Sequence, residues 1–342
     1  SKPSLYFNTK LYTGNGSTQS ITGVGFQPDW VWGKERTSTS SHFVFDAVRG
    51  ATKNIHTNTT AAETTPSPDG GLTSFDSDGF STSSWGAINE SGQTYASWNW
   101  KANGAGSSNT DGTINSTVSV NTTAGFSIVS YTGTGSNATV GHGLGSKPKF
   151  IIIKSRDKVD NWHCYNESIG ATKVIWLDLT SASASTSTFM QDTEPTSSVF
   201  SLGTNTAVNT NTFGHIAYCF AEKQGYSKFG SYTGNGNADG TFVYTGFKPA
   251  FIIVKRTNTT SDWQLMDNKR DPINAMDTNL FPNTSDADTS SSTYNTDFVS
   301  NGFKFRGTSG ARNGSGDTYI YMAFAEEPLV ANVGASIPAT AR

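Results

Sequence analysis

The chain is poor in cysteine, with only Cys164 and Cys219 in 342 residues, far below the density that staples small secreted scaffolds. Stability is therefore expected from packing rather than disulfides, although a Cys164–Cys219 bridge stays open. Charge is also scarce: 15% of residues are charged and the net charge is -3. Without a basic stripe, nucleic acid and anionic membranes are not expected as partners. Apolar runs are short, and the longest, such as Phe150 to Ile153, cannot span a bilayer, so no membrane insertion is expected. The opening SKPSLYFNTK has no apolar signal-like stretch. Its five histidines are scattered without zinc-ligand spacing, no G-x-S-x-G elbow occurs, and no Gly-rich turn ends in Gly-Lys-Ser/Thr. The expectation is no enzyme, no cofactor and no metal.

Glycine contributes 35 residues and aromatics 12%, while Ser, Thr and Asn make up roughly a third of the chain, a mixture typical of β-rich surface proteins. Five blocks recur in fixed order, three times each. YTGNGS at Tyr12 returns as YTGTGS at Tyr131 and YTGNGN at Tyr232, offsets of 119 and 101. GFQPDWVWGKERT from Gly25 matches GSKPKFIIIKSRD from Gly145 and GFKPAFIIVKRTN from Gly246, offsets of 120 and 101. Asp46, Asn166 and Asp267 follow in register, then Phe80, Phe200 and Phe303. Each copy closes on an aromatic segment: YASWNWKA from Tyr95, HIAYCFAEK from His215 and TYIYMAFAEE from Thr318.

Each copy reads as a strand ending in Tyr-Thr-Gly-x-Gly, whose glycines permit a tight turn through positive φ. Pro28, Pro148 and Pro249 should stand where the next strand begins, because proline cannot donate to a ladder. The runs that follow, Trp30 to Trp32, Phe150 to Ile153 and Phe251 to Val254, are apolar on both faces and belong centrally in a sandwich. The closing strand alternates, with Ala96, Trp98 and Trp100 on one face and Tyr95, Ser97 and Asn99 on the other. The one helical exception expected is a short turn in Asp271 to Asn279.

The expected fold is all-β: three tandem, diverged β-sandwich domains at 1–103, 118–223 and 224–330. A Gly/Ser/Asn-rich linker is expected at 104–117, and a C-terminal arm at 331–342 that ties to a neighbour.

With the copies laid out, the sequence resembles an uncharacterised repeat-domain family of virion structural proteins from marine tailed phages, including those of cyanobacteria. The segments carrying the resemblance are AGFSIVSYTGTGSNATVGHGLGSKPKFIIIKSR from Ala124, YCFAEKQGYSKFGSYTGNGNADGTFVYTGFKPAFIIVKR from Tyr218 and YIYMAFAEEPL from Tyr319. It implies a non-enzymatic tail-fibre, appendage or head-decoration protein at the particle surface. Its partners would be other virion proteins, copies of itself in a three-fold assembly, and host surface polysaccharide. A free-standing carbohydrate-binding lectin and a glycan depolymerase are the alternatives.

Individual residues add little chemistry. Asp46 and Asp267 have Asn166 as their counterpart, so a turn role outweighs acid–base work, which needs a paired carboxylate. Asp76-Ser77-Asp78-Gly79 starts like a calcium loop but lacks the downstream bidentate Glu. Trp30, Trp32, Trp98 and Trp100 fall at core strand positions. Trp85, in a loop with no aromatic counterpart, is the candidate recognition residue.

Overall fold

The computed structural model describes residues 2–67 and 70–326. It is all-β, and the same four-stranded antiparallel sheet appears in each copy. An opening strand (Phe7–Thr13, Phe126–Thr132, Ser227–Thr233) pairs with the closing strand (Thr94–Trp100, Gly214–Phe220, Thr318–Ala325). The closing strand pairs with the apolar strand (Trp30–Glu35, Phe150–Ser155, Pro249–Arg256), and that with a short fourth (Phe43–Asp46, His163–Asn166, Gln264–Asp267). The runs apolar on both faces are thus interior strands. Trp30, Phe150 and Phe251, just past their prolines, are 1%, 2% and 0% exposed, which fixes the register.

A smaller sheet covers one face of each large one. Ile21 opposes Phe80, Val140 opposes Phe200 and Val243 opposes Phe303 across it. These side chains pack on inward residues of the large sheet, such as Val31, Ile151 and Ile252, giving each copy its own core.

The other face of each large sheet turns to a core common to all three copies. Trp30, Trp32, Trp98 and Trp100 meet Phe126, Phe150, Tyr218 and Phe220, and Phe251, Ile320 and Phe324 complete it. Trp30 stacks on Tyr218 of the second copy at 4.5 Å, and Phe7 on Phe324 of the third at 5.2 Å. After its first residue each closing strand is buried on both faces, including Ser97 and Asn99, although alternation by itself calls for burial of one face alone.

Two expectations need correction. Asp271 to Asn279 is irregular and ends in a two-residue strand, because Asn279 pairs with Thr289. Single helical turns lie instead at Gly86–Asn89, Thr206–Asn209 and Gly310–Asn313, too short to carry a periodic signal. The stretch 104–117 is more than a linker: Ser107–Asn109 and Ser116–Asn121 form strands that extend the sheet beside the opening strand of copy two. That covered strand has no lysine, whereas the uncovered opening strands of copies one and three carry Lys10 and Lys228, which discourage edge pairing. The arm expected at 331–342 lies outside the described residues.

The two glycines of Tyr-Thr-Gly-x-Gly do different work. A Cβ on Gly14 would sit 2.1 Å from Glu90 O, so the first glycine permits close approach of two backbones. Gly16, Gly135 and Gly236 supply the positive φ, at 71°, 71° and 67°.

Candidate functional site

The copies meet in a closed cycle of matched interfaces. Between copies one and two, Asp160 N donates to Thr60 O (2.9 Å) and Glu63 N to Arg156 O (2.8 Å). Between two and three, Ser261 N donates to Thr180 O (2.8 Å) and Ser183 N to Thr257 O (2.9 Å). Copy three returns to copy one through Ser40 N to Ser285 O (3.0 Å) and Asp288 N to Arg36 O (2.8 Å). Residues 36, 156 and 257 stand at the same 120 and 101 offsets as the sequence blocks. A ring N–H reinforces each contact: Trp162 Nε1 donates to His56 O (2.9 Å), Trp263 Nε1 to Trp176 O (2.8 Å) and His42 Nε2 to Phe281 O (3.0 Å). Equivalent contacts that return to their start make a pseudo-three-fold ring.

Two interfaces are ionic. Asp46 accepts from the backbone N–H of Val48 and Arg49 at 3.1 and 2.8 Å, closing the turn after its strand. Its other oxygen takes the Arg49 Nε–H and, at 2.7 Å, the Tyr218 hydroxyl of the next copy. Asp267 repeats this with Lys269 N, Arg270 N and Arg270 Nε, and takes Trp98 Nε1 at 3.1 Å. Both arginines reach on to a second carboxylate shared with an arginine across the interface. Arg49 lies 3.3 Å and Arg156 2.9 Å from Glu63, while Arg270 lies 2.9 Å and Arg36 2.7 Å from Asp288. Burial alone would raise the Glu63 carboxyl, but the hydrogen bonds and charges of Arg156 and Arg49 hold it below its ordinary range.

The third interface lacks this arginine–carboxylate chain. Asn166, Ile169, Ser183 and Thr257 stand where the first has Asp46, Arg49, Glu63 and Arg156, and Met322 stands where Tyr218 does. Ser183 Oγ donates to Thr257 O at 3.1 Å, and Asn166 Nδ2 has no partner. Where the arginine–carboxylate–arginine chain would run there is a cleft of about 580 Å³. Ser168, Ile169, Lys173 and Ser183 line it on one side, and Ser231, Thr233, Thr257 and Thr318 on the other.

Buried titratable groups surround the ring. Lys34, Lys154 and Lys255, each 0% exposed, hold backbone carbonyls of the interface loops, and burial lowers each to about 8 against the pull of nearby carboxylates. All five histidines are depressed by burial, His142 and His215 to about 4. His42 illustrates why: Trp32 Nε1 donates to its Nδ1 at 3.0 Å and its Nε2 donates to Phe281 O, so the neutral ring is already satisfied. Among the described residues no group of three or more His, Cys, Asp or Glu is placed to hold a metal ion.

The remaining candidates have structural partners. Asp78 accepts from Gly23 N and Gly25 N at 2.9 and 2.6 Å, and Asp76 accepts from Ser74 and Ser81 hydroxyls, so this segment ties a turn. Cys164 and Cys219 are both free; Cys164 faces the shared core and Cys219 the local core of copy two, opposite sides of one sheet. Trp85 is only half-buried rather than displayed: its ring packs against the local core of copy one over Gly71, where a Cβ would come within 2.7 Å.

Sequence reasoning missed two features. Asn89, Asn209 and Asn313, each 0% exposed, bind the Tyr-Thr-Gly-x-Gly turn by accepting from Asn15 N, Thr134 N and Asn235 N; their offsets of 120 and 104 were the available signal. Phe242 and Tyr244 are 44% and 63% exposed where the other copies have Ser20 and Thr22, or Thr139 and Gly141.

The protein is thus an all-β, ring-like assembly of sandwich units with one shared core. It belongs to the family described as Domain of unknown function (DUF7483), whose model matches residues 2–328 and so spans all three copies. No curated protein and no solved structure matches the chain.

Proposed function

We propose that this chain is a non-enzymatic structural protein of a tailed-phage particle, carried on a tail appendage or the head, with an outer surface that contacts host polysaccharide. The observation that carries this reading is the ring itself. Three non-identical sandwiches close through matched contacts on one aromatic core, which suits a rigid spacer that seats on a three-fold particle axis. The interior polar groups are spent on holding the ring, as Asp46, Asp267 and the three buried lysines illustrate. The sequence resemblance to virion proteins supports the same reading. Among the described residues no helix is long and apolar enough to cross a membrane.

Antibody labelling of purified particles, with peptide mass spectrometry of the same material, tests it. Stoichiometric protein at a fixed location on the particle is expected. Protein found only in the lysate, or release of reducing sugar from host polysaccharide by the purified chain, would overturn it.

A further inference from the structure

We infer that the cleft between copies two and three is a glycan-binding site for a short run of pyranose units, an inference that rests on the polysaccharide contact proposed above and gives it a location. The cleft is made by missing side chains, not by a displaced backbone. Ser183 N to Thr257 O spans 2.9 Å here, against 2.8 Å for both equivalent pairs, so the frame is unchanged. What differs is that Ile, Ser and Thr at 169, 183 and 257 replace two arginines and a carboxylate. Loss of an ionic chain at one interface of three exposes a volume that the other two fill.

The lining selects the ligand. Among the described residues, the side chains of Ser168, Ser231 and Thr233 and the exposed ammonium of Lys173 have no hydrogen-bond or ion-pair partner. Half-buried Ile169 supplies apolar surface beside these polar groups. Hydroxyls that both donate and accept, set around an apolar floor, match a sugar ring with polar edges and a C–H face. A wholly apolar ligand would strand the hydroxyls, and a polyphosphate would need more than one cation. Pockets of about 300–1,000 Å³ hold small ligands, so 580 Å³ accommodates a short oligosaccharide.

The test refills the cleft from the protein's own pattern. Cellohexaose, mannohexaose and hexagalacturonate are titrated into the intact chain by calorimetry and amide chemical-shift mapping. At least one should bind, with shifts at Ser168, Lys173, Ser231 and Thr257. The triple variant Ile169→Arg, Ser183→Glu, Thr257→Arg, which rebuilds the ionic chain, should weaken that binding about tenfold or more while retaining the fold. Should the triple variant fail to fold, Ser231→Arg, at an exposed strand position, should block the cleft alone. Phe242→Ser with Tyr244→Thr, which removes the exposed aromatic pair, should leave binding intact. No binding of any of the three glycans, undiminished binding by the blocked variants, or loss of binding on removal of the aromatic pair would each overturn the site. Particle incorporation is scored separately: blocked variants should enter particles normally, and failure of the site leaves the structural role standing. Wild-type protein absent from particles would sink that role without touching the cleft.

Discussion

Asp46 and Asn166 occupy the same register position, yet replacing each with Ala should have very different costs. Asp46→Ala removes the acceptor for Arg49 Nε, the Tyr218 hydroxyl and two backbone N–H groups. Arg49, with 0% side-chain exposure, would keep Glu63 at 3.3 Å, the carbonyls of Lys53 and Val44 and, at 3.4 Å, the Tyr218 hydroxyl. Breaking a buried pair so that one charge is stranded costs about 3–5 kcal/mol. Losing the Tyr218 partner adds about 1 kcal/mol. Asn166 accepts only from Ser168 N, at 2.8 Å, and its Nδ2 has no partner to lose. Asn166→Ala should therefore cost about 1 kcal/mol. Urea unfolding of the intact chain reads both, and the gap should be about 3 kcal/mol. Asp46→Ala with Arg49→Met should recover much of the loss, since the stranded charge goes with the arginine. Equal costs within about 1 kcal/mol, or no recovery in the double variant, would refute the account of the ionic interfaces.

The three copies share one core, so fluorescence and circular dichroism should report a single coincident unfolding transition, and copy two alone should bind hydrophobic dye through Phe126, Phe150 and Phe220; separate transitions would contradict this. A Cβ on Gly33 would lie 2.1 Å from Phe43 Cζ, so Gly33→Ala should cost about 1–3 kcal/mol and Phe43→Leu should relieve it, read as a double-mutant cycle. The fold should be acid-labile because histidine protonates near pH 6.5 when unfolded, but His142 and His215 only near 4 when folded. Their contribution is present above pH 6.5 and is lost as pH falls toward 4, about 2 kcal/mol for each at pH 5, measurable as a falling urea midpoint. The buried lysines act in the same sense, in a higher pH window. Lys34, Lys154 and Lys255 give up their protons near 8 when folded but near 10.5 when unfolded, so the unfolded chain holds more protons between these values and stability rises with pH. The rise from pH 7 to 9 should be about 1 kcal/mol for each lysine, and Lys154→Met should flatten it.

Much of the architecture was legible in the sequence because its causes are local. Proline before an apolar run, alternation along the closing strand and recurrence at fixed offsets specified the all-β class, the strand register and the burial of Trp30, Phe150 and Phe251. The single helical turns and the added strands at 107–109 and 116–121 were not legible, since four residues carry no helical period and a Gly/Ser/Asn-rich strand resembles a linker. Trp85 shows the limit for sites: exposure depends on what folds over a side chain, and Gly71 lies distant enough in sequence to leave no trace.

The ring was decided by tertiary structure alone. Asp46, Asn166 and Asp267 align in one dimension, but only the closed cycle places Tyr218, Met322 and Trp98 opposite them. That juxtaposition explains why two positions are acidic and one is an amide. A carboxylate is retained where an arginine and a donor from the next copy meet it in a dry interface, and is absent where the partner is a thioether and an isoleucine replaces the arginine. The same packing turns three scattered substitutions, at 169, 183 and 257, into one cleft.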